Sequence, residues 1–344
     1  MKKFIFFILF GFLVGCGGSQ DVDVQIELPA AFVAQGSVSH ITIQVTAADI
    51  TTPITTTINP PFITSVDGNT VNSTLTIPIG SARNIGVYAP LIGSGPAMMV
   101  GHVVTSIAET TTAIPSIPMN FINFARDATG AGDLRPPASG PPAADIVSFK
   151  IAALTTADLI CGADTVEMTV DFLEPYTVPP SVDSQRIVIE LDVDDSRITG
   201  APAGQSFIER TLAPLGTTVR TTNGLTNALM TDGTEYLISI VNRTLPSASL
   251  FSISSTDGSL TPVTATILSF YDQTPATLTL CIAAADFRTI DPDGSGVLNV
   301  LSGIDPFSTG PTPSTTYGGN DILYRSGVVH YDLNLDLNTI PGGP

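Results

Sequence analysis

The run Asp291-Pro292-Asp293-Gly294-Ser295-Gly296-Val297-Leu298-Asn299 carries oxygen-bearing residues at alternate positions around a glycine. A loop that wraps a calcium ion uses this spacing. It needs carboxylates at positions 1 and 3, a side-chain oxygen at 5, glycine at 6, a backbone carbonyl at 7 and an apolar residue at 8. Asp291, Asp293, Ser295, Val297 and Asn299 are the ligand candidates, and Phe287 sits where an incoming helix would. Position 12 is Ser302, not the bidentate Glu, so Asp305 or another strand would have to supply oxygen. The alternative is an Asp/Gly-rich turn held by side-chain-to-backbone bonds. A second acidic cluster, Asp192, Asp194 and Asp195, ends an apolar-alternating run and reads equally as a calcium site or a solvated turn.

Other chemistry is sparse. Sugar binding needs aromatic faces, and the chain has no Trp and 7 Tyr. Tyr271, Tyr317 and Tyr324 fall in loop-rich sequence and are the candidate platforms, whereas Tyr236 and Tyr331 alternate with apolar neighbours and read as core. There is no Gly-x-Ser-x-Gly elbow and no His-Glu-x-x-His. His40, His102 and His330 each lie in strand-like sequence. No catalytic residue is nominated, and the chain is expected not to be an enzyme.

These residues must be positioned by strands. Apolar residues alternate with polar ones at Val22 to Leu28, Ile41 to Val45, Leu75 to Ile79, Met168 to Phe172 and Ile187 to Val193. The pattern returns at Tyr236 to Ile240, Leu278 to Ile282 and Val329 to Leu337. Period-two alternation marks half-buried strands. Turn clusters such as Asp67-Gly68-Asn69, Asp232-Gly233 and Asp257-Gly258 separate the runs. Many short strands with such turns predict an all-β fold of two β-sandwich domains in tandem, the second larger. Residues 22–124 form the first, residues 125–144 a Pro/Gly-rich linker and residues 145–344 the second.

The formal net charge is −18, and Lys150 is the one lysine after Lys3. Such a chain has no basic patch for nucleic acid, whose phosphates demand Lys and Arg. Anionic lipid heads would repel it.

The N-terminus reads as an address. Lys2-Lys3 is a basic region, Phe4 to Phe12 an apolar one, and Leu13-Val14-Gly15-Cys16 a lipobox. The stretch is too short to span a bilayer, which takes about 20 residues. It resembles the signal of bacterial lipoproteins. The resemblance implies removal of residues 1–15, acylation of Cys16, and a tether over 16–21. Gly17 follows the cysteine where enteric lipoproteins use Asp for inner-membrane retention, so the outer membrane is implied. The anchor is then the chain's contact with the membrane. In an oxidising compartment Cys161 and Cys281 are expected to pair, with two buried thiols as the alternative.

Two further resemblances concern the domains. Ile41 to Ile50, Leu75 to Gly80, Gly101 to Val104 and Ile117 to Met119 resemble a small immunoglobulin-like or transthyretin-like module, which implies a spacer or adhesive scaffold. Ile189-Glu190-Leu191-Asp192-Val193-Asp194-Asp195 with Thr199-Gly200 resembles the β-sandwich group of family 9 carbohydrate-binding modules and DOMON-like domains. Gly233-Thr234-Glu235-Tyr236 extends the match, with Glu235 where that group has Asp. The expected role is non-catalytic binding in the cell envelope, of a glycan with help from calcium. The competing expectation is a structural or adhesive subunit that contacts other envelope proteins.

Overall fold

The computed structural model describes residues 18–28, 38–65, 70–92, 97–126, 145–157, 160–173, 184–194, 199–201, 233–241, 247–305, 312–313, 321–323 and 329–335. The fold is all-β. The first nine strands are β1 (Ser19–Glu27), β2 (Ile41–Thr46), β3 (Ile54–Ile58), β4 (Thr70–Pro78), β5 (Gly80–Pro90), β6 (Met98–Ile107), β7 (Ile117–Pro118), β8 (Asn120–Ile122) and β9 (Phe124–Arg126). Then follow β10 (Ile146–Leu154), β11 (Thr165–Phe172), β12 (Ser184–Asp192), β13 (Tyr236–Val241), β14 (Ser247–Ile253), β15 (Leu260–Val263), β16 (Ile267–Gln273) and β17 (Ala276–Ala283). A short helix α1 (Ala284–Ile290) leads to β18 (Ser295–Asp305), β19 (Asp321–Ile322) and β20 (Val329–Asp332).

The alternating residues build the cores they predict. In β1, Val22, Val24 and Ile26 are fully buried between exposed polar neighbours. They join Ile43, Ile77, Ile85 and Val87 in one apolar core. Phe149, Met168, Ile189, Ile238, Leu280 and Tyr331 belong to a second. Three sheets enclose these cores, with orders β4-β1-β7, β16-β17-β11-β10-β9, and a long one from β15 through β14-β13-β12-β18-β20-β8-β6-β5-β2 to β3. The long sheet therefore serves both cores.

The chain crosses from one core to the other at Asn123. Strand β8 pairs with β6 in the long sheet, while β9 pairs antiparallel with β10 in the five-stranded sheet. Thus Ala125 and Arg126, counted with the linker in the sequence reading, are paired strand residues. Residues 127–144 lie outside the described residues. Asn123 is buried and left-handed, with φ 61°. Its backbone N–H donates to the His330 carbonyl at 2.9 Å, and its carbonyl accepts from the Ile151 N–H at 3.1 Å. Its side-chain amide donates to the Asp332 carbonyl at 2.8 Å and accepts the Asp332 N–H at 2.7 Å. Asn is among the few residues that tolerate φ > 0, and its amide copies a peptide group. The long sheet continues here through one parallel pair, His330 opposite Ile122.

Two further fasteners are local. Arg83 is buried, donates from Nε to the Pro78 carbonyl at 2.9 Å and from Nη2 to the Ile79 carbonyl at 2.6 Å, and pairs with the exposed Asp49 carboxylate. It ties the β4–β5 corner, where the β5–β6 register shifts between Gly80 and Arg83. Cys161 and Cys281 form a disulfide across 120 residues, with Cα atoms 5.5 Å apart, as the sequence predicts.

Replacing both cysteines by Ala should lower unfolding stability by about 2–5 kcal/mol, read by denaturant melts. Asn123→Gly keeps the left-handed backbone but loses two hydrogen bonds, at a cost of about 2 kcal/mol. Asn123→Ala should cost about 1 kcal/mol more, because a Cβ is added at positive φ. Calorimetry should show the single wild-type transition broadening or splitting in both Asn123 variants.

Candidate functional site

The two acidic segments nominated from sequence come to one end of the long sheet. Strand β12 pairs antiparallel with β18, with Asp192 opposite Val297, so the chain before Ser295 lies beside the chain after Asp192. On its other side β12 pairs with β13, with Leu191 opposite Tyr236. One step further along that register Asp192 faces Glu235, and the Glu235 N–H donates to the Leu191 carbonyl at 3.1 Å.

Asp192, Asp194 and Glu235 each present a carboxylate oxygen within 4.8 Å of the others. Asp192 is buried, Glu235 half-buried and Asp194 exposed. The backbone around them is tightly drawn. Gly200, at φ +66°, lies so close to Thr234 that a Cβ would stand 2.3 Å from its carbonyl oxygen. The Ala201 N–H donates to that carbonyl at 2.7 Å. At Gly296 a Cβ would stand 2.4 Å from the Asp192 carbonyl oxygen. Glycine at both positions is a condition for bringing the three acidic residues together.

The hydrogen bonds leave one oxygen over. The Thr199 hydroxyl donates to the Asp194 carboxylate at 2.9 and 3.0 Å. The Val193 N–H donates to Glu235 Oε2 at 3.1 Å. Glu235 Oε1 is buried and receives no hydrogen bond. Burial pushes the Glu235 carboxyl above its ordinary range, the Thr199 hydroxyl and Val193 N–H pull it back, and the Asp194 charge raises it further. A buried anionic oxygen without a donor costs free energy, and a proton or a cation relieves it. Three oxygens at this spacing suit a hard divalent ion such as calcium, which takes oxygen ligands at about 2.3–2.6 Å.

The Asp291 segment does not wrap an ion. Asp291 is fully buried at the end of α1, where Oδ1 accepts the Gly294 N–H at 2.8 Å and Oδ2 accepts the Tyr331 hydroxyl at 2.9 Å. Phe287 packs edge-on against Tyr331, with ring centroids 6.2 Å apart. Burial raises the Asp291 carboxyl and these donors lower it. Burial, with the nearby charges of Asp291, Asp192 and Glu235, holds the Tyr331 phenol well above its usual range. Asp293 is exposed. Ser295, Val297 and Asn299 lie in extended β18, and Asn299 is buried with Oδ1 accepting the Val300 N–H at 2.8 Å. A strand rises about 3.3 Å per residue, so Ser295 and Asn299 stand roughly 13 Å apart and share no ion. The nine-residue motif is a helix-to-strand corner.

A polar cleft of about 420 Å³ opens beside the acidic triad. Asp194, Asp293, Ser295, His330 and Asp332 line it, together with Ile122 from the first core. It thus lies along the seam that Asn123 closes. No Lys or Arg is among its described lining residues.

The remaining nominated residues lie elsewhere. Tyr271 is in strand β16, not a loop, and packs half-buried against the second core. It borders a separate cleft of about 500 Å³ with Ile160, Phe270 and Thr279. Tyr317, Tyr324 and Cys16 lie outside the described residues. Glu235 was noted in the sequence only as a departure within the Gly-x-Asp-Tyr phrase. The register of β12 against β13 is what makes it a partner of Asp192.

Fold and site together define an all-β, disulfide-bonded, β-sandwich class of protein with an acidic strand end at its seam. No protein-family profile matches the chain, and no curated protein matches it. Among solved structures, it is similar to a fimbrial assembly protein from Parabacteroides distasonis ATCC 8503 at 9% identity and a TM-score of 0.25, over 45% of this chain and 81% of that one. A DUF4876 family protein from Bacteroides thetaiotaomicron VPI-5482 matches at 9% identity and a TM-score of 0.20, over 70% of this chain and 46% of that one. A leucine-rich repeat protein from the same organism matches at 8% identity and a TM-score of 0.20, over 83% of this chain and 22% of that one.

Because the Glu235 carboxyl is raised, the folded protein holds a proton that the unfolded chain has released. Its contribution to stability therefore falls as pH rises through the carboxylate range. In chelator, Glu235→Gln should match wild type in melting temperature near about pH 4 and exceed it at about pH 8. Thermal melts across that range check the sign.

Proposed function

We infer that this chain is a non-catalytic, lipid-anchored cell-envelope protein whose acidic strand end binds calcium and, through it, an envelope glycan. The lipobox at Cys16 supports the anchor, and the Cys161–Cys281 disulfide fits an exported, oxidising location. Gly17 after the cysteine supports the outer membrane.

One observation carries the binding reading: Asp194 belongs both to the carboxylate triad and to the wall of the 420 Å³ cleft. Three protein oxygens do not fill the six to eight places of a calcium ion. An ion at the triad would keep places open toward the cleft, and vicinal sugar hydroxyls are oxygen ligands of the required kind. Ser295, His330 and Asp332 add hydrogen-bonding groups on the same wall. The strongly acidic chain favours a neutral glycan over an anionic one.

Calorimetric titration of calcium into chelator-treated protein should show one site. Glu235→Gln and Asp192→Asn should each weaken it by at least about tenfold, since each removes a charged ligand. A glycan array run with calcium and with chelator should give a hit that chelator abolishes. Calcium binding without any glycan hit would leave a structural ion and move the role to scaffolding. No calcium binding would remove the reading altogether.

A further inference from the structure

We propose that the free edge of β16 is a self-association surface, on which the same strand of a second copy pairs antiparallel across a two-fold axis. An edge strand presents a row of unpaired N–H and C=O groups, and proteins blunt such edges by shortness, proline, lysine, bulges or a covering segment. The other described sheet ends are blunted. β15 has four residues and contains Pro262, β9 has three, and β7 has two. β3 presents the exposed polar row Thr55, Thr56 and Thr57. The outer edge of β4 is partly covered, since Asn72 N–H donates to Ile63 at 2.9 Å and Ser65 N–H to Thr70 at 2.8 Å.

β16 has none of these devices. It runs seven residues, Ile267 to Gln273, with unbroken register against β17 and no proline or lysine. Leu268 is 54% exposed and Phe270 43% exposed, both on the outer face, where they stand opposite Cys281 and Thr279. Ile160, 48% exposed and next to the disulfide, extends the apolar strip along the cleft it shares with Phe270.

The strand's own sequence identifies the occupant. Pairing centred on Ser269 sets Leu268 opposite Phe270 of the second copy, and Ile267 opposite Tyr271. Symmetry repeats both contacts. Apolar residues then meet apolar residues on each face, which is the condition that selects a register. Centring on Phe270 would set Leu268 against Asp272 instead. In the favoured register Asp272 faces Thr266, and its Oδ1 already accepts the Thr274 N–H at 3.0 Å. A two-fold interface of this kind is self-complementary and closes after two chains. The formal charge of −18 on each chain opposes association, so added salt should strengthen it.

Sedimentation velocity of the full chain in mild detergent, over a wide concentration range, tests this directly. The expected result is a monomer–dimer equilibrium that tightens with salt. Leu268→Lys with Phe270→Lys should weaken it by at least about tenfold while leaving the melting temperature in place, since both side chains are exposed. Oxidation should cross-link Ser269→Cys more readily than Leu268→Cys, because only position 269 faces itself. A monomer at every concentration, a dimer unaffected by the two lysines, or preferential cross-linking through position 268 would overturn the proposal.

Discussion

The arrangement of the molecule rests on Asn123. An asparagine here does three things at once. It takes a left-handed backbone, it hands the chain from the long sheet to the five-stranded one, and it offers a side-chain amide that pairs with Asp332 as a strand neighbour would. The long sheet can pass from one core to the other because that amide continues the hydrogen bonding where the single His330–Ile122 pair ends. Phe121 and Phe124, edge to face with centroids 5.4 Å apart, bracket it on the first core's side, while Ala125 enters the second core.

The acidic site depends on this seam. Tyr331 lies in β20, the strand that Asn123 holds, and its hydroxyl fixes Asp291. Its neighbours His330 and Asp332 form the cleft wall facing Asp194. The cleft is therefore built from the second core's strand ends and from one residue of the first, Ile122. Tight backbone approach at Gly200 and Gly296, rather than a flexible loop, is what crowds the carboxylates. Crowded like charges with few donors are an unfavourable arrangement that a bound cation would relieve.

Much of the fold was legible in the sequence because burial alternates along a strand. Val22, Ile43, Met168, Ile189, Ile238 and Val329 were all identified as core by period two alone, and all are buried. The disulfide was legible from the export signal and the leftover cysteines. The site was only half legible. Asp192 and Asp194 stood out as a cluster, but Glu235 is more than 40 residues away, and only strand pairing discloses it. The Asp291 motif misled for a related reason. Spacing in a calcium loop and spacing in a turn entering a strand are alike in one dimension, and the difference is whether Ser295 to Asn299 curls or extends. Pairing of β18 with both β12 and β20 decides for extension. Tyr271 misled because β16 follows a Thr-rich stretch that reads as loop, while half of its own residues face solvent.

The first strand has a mechanical consequence. β1 meets β4 in nine consecutive antiparallel pairs, from Ser19–Pro78 to Glu27–Thr70, and meets β7 on its other side. A chain held at its N-terminus and dragged by its far half feels tension along the length of β1. That geometry shares the load among the whole ladder at once, in shear, instead of peeling one bond after another. The strand nearest the point of attachment is thus also the one whose pairing is arranged to resist being pulled out.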